Sequence, residues 1–150
     1  MKYRRVIFVS TDNTCLGPAA ESIFNRIAGE RGIEAISRGL VVLFPEPMNA
    51  KMVSVMKERG LEIGKDFSEP LTEEDIVEGT LLLAMSDQDV SMVREMFPDM
   101  KVYKLRNFVG EKGDVEIPLG KSLLDYEACY EHIDLLTKMA AERIFREEQQ

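Results

Sequence analysis

The amino-acid sequence predicts an α/β protein of three layers (an α/β/α sandwich), with helices covering both faces of a parallel sheet. Short apolar runs alternate along the chain with segments whose apolar residues recur at helical spacing. Strands that alternate with helices are joined by right-handed crossovers, which makes the strands parallel. The run at 81–85 is apolar without interruption, as is typical of a central strand covered on both faces.

Each predicted element follows from such a pattern. The predicted strands are 6–9, 33–37, 81–85 and 101–105, and the predicted helices are 18–31, 48–59, 90–97 and 123–145. Gly32 and Gly60 are placed to end the first two helices, and Pro98 ends the third. Residues 107–121 hold three glycines and a proline, which predicts a loop, and residues 146–150 are expected to fray.

Three positions carry the spacing of a capping box, in which a hydroxyl residue is followed three positions later by an acid. They are Thr72, Ser86 and Ser122. We expect a helical turn to begin at each of them.

The composition fits one folded domain that spans residues 1–150. Hydrophobic residues make up 45% of the chain and charged residues 31%, which excludes a disordered class. The formal net charge of -8 argues against a general nucleic-acid binder. No apolar run reaches the length of a membrane span, and the run that follows the basic N-terminus is too short for a signal peptide. We therefore expect a cytoplasmic protein without a membrane partner.

The cysteines and the single histidine predict neither a metal site nor a cofactor. Cys15 and Cys129 lack the spacing of a metal-binding or disulfide motif, which is typical of a reducing compartment. His132 lies in the last helical segment, where a surface or partly buried histidine is more common than a metal ligand.

The functional site of the chain is expected in the loop that follows the first predicted strand. A strand, a tight loop and a helix N-terminus come together here, and this arrangement directs backbone N–H groups at one point and can bind an anion. Ligands of open parallel sheets bind beyond the carboxyl ends of the strands, which is where this loop lies. The loop consists of Ser10, Thr11, Asp12, Asn13, Thr14, Cys15, Leu16 and Gly17.

This stretch resembles the phosphate loop of the low-molecular-weight protein tyrosine phosphatases, which reads Cys-x-Gly-Asn-x-Cys-Arg-Ser-Pro. Asn13, Cys15 and Pro18 keep the frame of that pattern. The resemblance implies a four-stranded parallel sheet of flavodoxin-like topology, with a phosphate-binding loop at its carboxyl end. Thr11 and Thr14 resemble the loop of the arginine-phosphatase branch, which has threonine where the tyrosine phosphatases usually have a bulkier apolar residue. The chain thus looks closest to bacterial members that act on protein phosphoarginine or phosphotyrosine.

The catalytic positions of the loop pattern are substituted. The nucleophile position is Ser10, the glycine position is Asp12 and the arginine position is Leu16. Gly17 stands at the serine position that follows. The frame of the pattern is therefore kept while its reactive groups are not.

The resemblance extends over nearly the whole chain. Residues 67–72 are similar to the family's His-x-Ser-x-x-Leu segment, with Asp66 where the histidine would be. The segment 113–122 resembles the loop that ends in Asp-Pro-aromatic-Gly-x-Ser and carries the general acid. Its acid position is Ile117 and its aromatic position is Leu119.

The resemblance implies a reaction that needs a cysteine thiolate, an arginine and an aspartic acid. Ser10 cannot supply an anionic nucleophile near pH 7, and no histidine lies near it in sequence. Loss of a general acid costs about 10²–10⁴-fold in rate, and loss of an arginine that stabilises phosphoryl charge costs about 10³–10⁵-fold. A laboratory substitution of the nucleophile would leave Leu16 and Ile117 unexplained. The three losses predict a catalytically inactive protein with a binding or regulatory role, through a protein partner or a homo-oligomer.

Two other functions stay open. One is a weakly active phosphotyrosine or phosphoarginine phosphatase that uses Ser10 or Cys15 by an altered route. The other is the binding of a small molecule or anion in the former active-site pocket, which Leu16, Ile117 and Leu119 would make more apolar. Convergence of these three side chains on one pocket would favour that function, and a filled site would favour the inactive protein.

The other loop residues carry narrower expectations. Asp12 either accepts hydrogen bonds from loop amides, which would close the loop to dianions, or faces solvent as a turn residue. Phosphate binding is not expected, because Leu16 carries no charge. Asn13 is expected in the left-handed conformation. Cys15 is expected to be buried and inert, and the reversible disulfide that the resemblance implies would lack its partner at Ser10.

Overall fold

Four parallel strands form a single sheet in the computed structural model, which describes residues 2–148. The strands are β1 (Arg5–Ser10), β2 (Glu34–Gly39), β3 (Thr80–Ala84) and β4 (Val102–Lys104). Their spatial order is β2-β1-β3-β4, with every neighbouring pair parallel. The chain moves to opposite sides of β1 to build β2 and β3, so a crevice opens at the carboxyl end of β1. This architecture confirms the predicted fold class.

Helices cover both faces of the sheet. They are α1 (Leu16–Ala28), α2 (Ala50–Glu58), α3 (Asp87–Met96), α4 (Leu105–Phe108) and α5 (Leu123–Glu148). Residues of α1, α2, α4 and α5 share one hydrophobic cluster on one face, and residues of α3 belong to a second cluster on the other. Helix α5 is long enough to pack against both α1 and α2.

The central strands are buried on both sides, which explains their uninterrupted apolar runs. Val6 and Phe8 of β1 lie in the cluster that contains α1 and α5, whereas Ile7 and Val9 lie in the cluster that contains α3. Successive side chains of a strand point to opposite faces, so a strand between two helical layers needs apolar residues at every position.

The predicted end of the first helix is wrong. The helix runs over Leu16–Ala28, and it ends at Gly29, whose φ of 53° is left-handed and whose N–H donates to the Asn25 carbonyl. The side chain of Asn25 also bonds the backbone N–H and carbonyl of Ala35 in β2. This contact fixes a short connection, so Gly32 lies in the turn that leads to β2 rather than at the helix end.

Two further predictions need correction near the C-terminus. Residues 105–108 form the short helix α4, where a strand end and a loop were predicted. Residues 146–148 are helical rather than frayed, and residues 149 and 150, to which that prediction also applied, lie outside the described part of the chain. Glu147 explains the ordered last turn, because it accepts hydrogen bonds from Lys2 and Arg143.

The three predicted caps are present. The Ser86 hydroxyl oxygen accepts the Asp89 N–H at 3.1 Å and caps α3. Ser122 and Asp125 bond each other reciprocally at the start of α5, in which Asp125 belongs to the first turn. Thr72 begins only a single 3-10 turn, Glu73–Asp75. Within residues 2–148, no helix combines the length and the apolar character that crossing a bilayer requires.

Replacing Ser86 with alanine tests the cap of α3. Ser86→Ala removes the acceptor for the Asp89 N–H, so we expect the free energy of unfolding to fall by about 1 kcal/mol in urea denaturation. Ser91→Ala, at an exposed position of the same helix, is the matched control and should stay within about 0.5 kcal/mol of the unmodified chain. Equal losses in the two variants would contradict the assigned cap.

Candidate active site

The candidate site is the loop between β1 and α1, at the crevice on the carboxyl side of the sheet. Thr11 is exposed and Asp12 is half-buried, whereas Asn13, Thr14 and Cys15 are buried. Cys15 is the residue before the first turn of α1. The structure thus keeps the strand, loop and helix N-terminus adjacent, as the sequence predicted.

Asn13 fixes the shape of the loop. Its φ of 61° lies in the left-handed region, as expected from the sequence, and its side chain has no exposed surface. The side-chain oxygen accepts hydrogen bonds from the Lys65 ammonium at 3.0 Å and from the Glu69 backbone N–H at 2.9 Å. The segment 65–69, which is distant from the loop in sequence, therefore fixes the loop conformation.

Lys65 is the residue of this site that the sequence interpretation missed. Its ammonium donates to the Asn13 side chain and to the Ser37 carbonyl at 2.8 Å, and it pairs with Glu69 at 3.1 Å. Burial lowers the pKa of Lys65, and the neighbouring Glu21 carboxylate opposes that shift. All three donors of the ammonium are directed at protein oxygens, so Lys65 does not offer a charge to an external anion. One signal in the sequence could have found it, since Lys65 stands beside Asp66, where the family pattern has histidine.

The hydroxyl of Ser10 is enclosed by the loop. Ser10 is 4% exposed, and its oxygen accepts the Asn13 backbone N–H at 3.2 Å. A Cβ atom added at Gly17 would lie 3.2 Å from this oxygen, so the first turn of α1 approaches it closely. His132, the single histidine of the chain, lies on α5 and lines a separate cavity with residues 115–121.

Asp12 bonds an amide of its own loop. One oxygen of its carboxylate accepts the Thr14 backbone N–H at 3.3 Å. With the Asn13 N–H bonded to Ser10, two of the loop amides are occupied by oxygens of the chain itself. Asp12 thus accepts one loop amide N–H, and the closure of the loop to dianions stays a prediction.

The three apolar substitutions do not meet in one pocket. Leu16 is 2% exposed and belongs to the hydrophobic core. Ile117 is half-buried against the same core, and Leu119 is 69% exposed. A cavity of about 610 Å³ between residues 115–121 and α5 is lined by Ile117 and Leu119, and Leu16 is not among its lining residues.

A buried acid lies beside the loop. Asp89 is 3% exposed, and its carboxylate accepts the Thr11 hydroxyl at 2.8 Å. Burial raises the pKa of Asp89, while the hydrogen bonds from Thr11 and Ser86 oppose that shift. The sequence placed Asp89 only as part of a cap, because its contact with Thr11 joins two separate elements.

The basic residues at the carboxyl ends of the strands are paired with acids. The Lys104 ammonium lies 3.0 Å from both Asp87 and Asp114. Arg38 lies 3.2 Å from Asp75 and 3.7 Å from Glu69. The charges of these two residues are therefore directed at carboxylates within the fold.

The cysteines are protonated at neutral pH. Cys15 is 1% exposed, and burial raises the pKa of its thiol to about 12, with smaller contributions from Cys129 and Asp12. Burial also raises the pKa of Cys129 to about 11. Because the thiolate is the reactive form, Cys15 is not an activated nucleophile. Among residues 2–148, no group of three histidine, cysteine or acidic side chains is arranged to hold a metal ion.

Removing the Lys65 ammonium tests whether it holds the loop. Lys65→Met removes the charged donor from the buried oxygens of Asn13 and Ser37, which keep one other hydrogen bond each, from the Glu69 N–H and from Arg38. Because charge-assisted hydrogen bonds are lost, we expect the free energy of unfolding to fall by about 1–3 kcal/mol in urea denaturation. Lys57→Met, at an exposed position of α2, is the matched control. A Lys65→Met variant as stable as the control would refute this assignment.

The raised pKa of Asp89 predicts a dependence of stability on pH. Since the folded chain holds this proton more tightly than the unfolded chain, stability falls as the pH rises from 3.8, the ordinary pKa, through the raised value. Asp89→Asn keeps an oxygen acceptor for Thr11 and removes the charge. We therefore expect its stability relative to the unmodified chain to increase from acid to neutral pH in urea denaturation.

The exposed Asp99→Asn variant is the control for that series. A difference between Asp89→Asn and the unmodified chain that stays constant over the same pH range would contradict burial as the cause.

Known proteins are similar to this chain in sequence and in fold. A family model described as low molecular weight phosphotyrosine protein phosphatase matches residues 5–150. A protein-arginine-phosphatase of Geobacillus stearothermophilus is 31% identical over 147 residues, which cover 96% of this chain and 98% of the relative. The solved low molecular weight protein tyrosine phosphatase of T. tengcongensis has a TM-score of 0.85 at 35% identity and covers 93% of this chain and 98% of its own.

A further solved structure is also similar to this chain. It is a variant of the YwlE arginine phosphatase in which a cysteine is replaced by serine, and its active-site serine is phosphorylated. It has a TM-score of 0.87 at 30% identity and covers 97% of this chain and 98% of its own. From the match of residues 5–150 and these relatives, the chain belongs to the low molecular weight phosphotyrosine protein phosphatase family.

Proposed function

We propose that this chain is a catalytically inactive member of its family that acts as a binding or regulatory protein. The burial of Leu16 carries the proposal. At the position where the family pattern has arginine, a side chain 2% exposed packs into the hydrophobic core. No bidentate donor from this position is available to the equatorial oxygens of a phosphoryl group.

The two other catalytic positions support the same conclusion. The Ser10 oxygen accepts an amide N–H, and within the described residues no side chain is bonded to it as a base. Ile117 carries no proton for a leaving group, and loss of a general acid corresponds to about 3–5 kcal/mol in activation free energy. These losses are not additive, but each one alone would reduce turnover severely.

The hydrogen bonds and the charge of the loop also oppose the binding of an anion. Two loop amides are occupied by Ser10 and Asp12, and the Asp12 carboxylate adds negative charge where a dianion would lie. We therefore expect a protein partner, or a second copy of the chain, rather than a phosphorylated ligand of this loop. We also expect a bacterial protein of the cytoplasm, and the similarity to a Geobacillus protein and the two free thiols support this expectation.

A second candidate function has one observation in its favour. In the related arginine phosphatase variant, a serine in the active site carries a phosphoryl group. In the same way the hydroxyl of Ser10 would accept a phosphoryl group from a phosphoarginine peptide. The Oγ–P bond would form as the P–N bond breaks, the hydroxyl proton would leave to solvent, and the guanidino nitrogen would take up a proton. Without hydrolysis, the chain would remain phosphorylated after a single turnover.

Restoring the catalytic groups tests the proposed inactivity. The unmodified chain is compared with a Ser10→Cys, Leu16→Arg and Ile117→Asp triple variant, with Asp12→Gly added separately, on an aryl phosphate and a phosphoarginine peptide. We expect no turnover by the unmodified chain and at least about 10²-fold more by the triple variant. Circular dichroism verifies that the variants fold.

Turnover by the unmodified chain that is abolished by Ser10→Ala or Cys15→Ala would refute the proposal. Intact-mass measurement after incubation with the phosphoarginine peptide separates the second candidate, since a phosphoryl adduct that is lost in Ser10→Ala would identify a single-turnover acceptor.

A further inference from the structure

An exposed apolar surface lies next to the candidate site and has no role in its chemistry. Leu43 is 89% exposed, Phe44 64% and Phe67 55%. Val53, on the neighbouring helix α2, is 38% exposed. We call these four residues the apolar patch.

The members of the apolar patch come from segments that are bonded to one another. Pro47 and Phe67 form an antiparallel bridge. Beside it, the Ser68 N–H donates to the Glu46 carbonyl at 2.8 Å, and the Ser68 hydroxyl accepts the Glu46 N–H at 2.9 Å. Ser68 itself is 3% exposed. The hydrogen bonds between Ser68 and Glu46 are therefore shielded from solvent, and they hold together the segments that carry Phe44 and Phe67.

A groove continues the apolar patch toward α2. It has a volume of about 350 Å³, and Met48, Val53 and Ile63 are among its lining residues. Val53 belongs to both the patch and the groove, and Met48 and Asp66, which line the groove, are the chain neighbours of the bridged pair Pro47 and Phe67. Contiguous apolar surface of this kind, rimmed by polar residues, is typical of protein interaction sites.

The charge around this surface is negative. Glu46, Glu62 and Asp66 are exposed acids of the segments that build it, whereas the Glu69 carboxylate is paired with Lys65 and Arg38. Lys57 lines the groove and opposes this charge, whereas the Lys65 ammonium is directed inward at Asn13, Ser37 and Glu69. The whole chain also carries a formal charge of -8. A second copy would bring like charge to this surface, and a basic partner would be attracted to it.

We propose that the apolar patch and its groove dock a basic segment of a partner protein, in which apolar anchors are flanked by lysine or arginine. This inference rests on the proposed binding role and names the chemistry of the partner. The apolar side chains supply contact area to the anchors, and the acidic residues select the charge of the flanking positions.

Binding of designed peptides to the full chain tests this surface. The probe is a synthetic peptide in which leucine and phenylalanine alternate with lysine and arginine, and its control carries glutamate in place of every basic residue. Isothermal titration gives the affinity and NMR chemical shifts give the location. We expect the basic peptide to bind at residues 43–53 and 66–69, more weakly as salt increases, and the acidic peptide not to bind.

Variants of the patch separate docking from general charge attraction. Phe44→Ser and Phe67→Ser should each weaken binding of the basic peptide about tenfold or more, because both rings are exposed anchors of the surface. A Glu46→Lys and Asp66→Lys double variant should weaken it further. Leu135→Ser, at a 53% exposed position of α5, is the matched control and should bind as the unmodified chain does.

Several results would overturn the proposal. They are failure of the basic peptide to bind, equal binding of the acidic peptide, unchanged binding by Phe44→Ser, or shifts confined to the loop 11–15 or to α5. A concentration-dependent dimer that Phe44→Ser dissociates in sedimentation would show that a second copy occupies the surface instead. None of these measurements uses catalysis, so turnover by the unmodified chain would refute the inactivity and leave the docking result standing.

Discussion

The contact of the Asn13 side chain with Lys65 and the Glu69 amide is the constraint on which the carboxyl edge of this protein depends. It holds the β1–α1 loop in a left-handed turn and joins it to a segment that also bridges Gly39 at the end of β2. The loop, the edge of the sheet and the base of the apolar patch therefore share one support. This shared support is independent of Ser10 and Leu16, so the frame of the loop does not depend on which residues occupy those two positions.

The layout of the fold was predictable because its central strands are buried on both faces. The runs at 6–9 and 81–85 needed no partner to be recognised, and the caps at Ser86 and Ser122 are local patterns. The end of α1 was not predictable in the same way. Gly29 and Gly32 both suit a helix end, and the choice is made by the contact of Asn25 with β2. Such a contact exists only in the folded chain.

The candidate site likewise has some features that the sequence predicts and others that only the folded structure shows. The substitutions at Ser10, Leu16 and Ile117 are recognisable from the sequence because they interrupt a linear pattern. The role of Lys65 is not, since it meets Asn13 across 52 positions of sequence. The separation of Leu16 from the cavity of Ile117 and Leu119 also required the structure, because a side chain at the start of a helix can face either the loop or the core.

The position of Leu16 as the first residue of α1 also affects how such a chain can evolve. An arginine at a helix N-terminus sets its charge against the positive end of the helix dipole, whereas a carboxylate nearby is favourable there. Leu16 removes such a charge and Asp12 adds a carboxylate just before the helix. Both changes therefore favour the helix while opposing phosphoryl chemistry. If turnover is no longer selected, as we propose for this chain, stability itself acts against the return of the catalytic groups, and their loss becomes difficult to reverse.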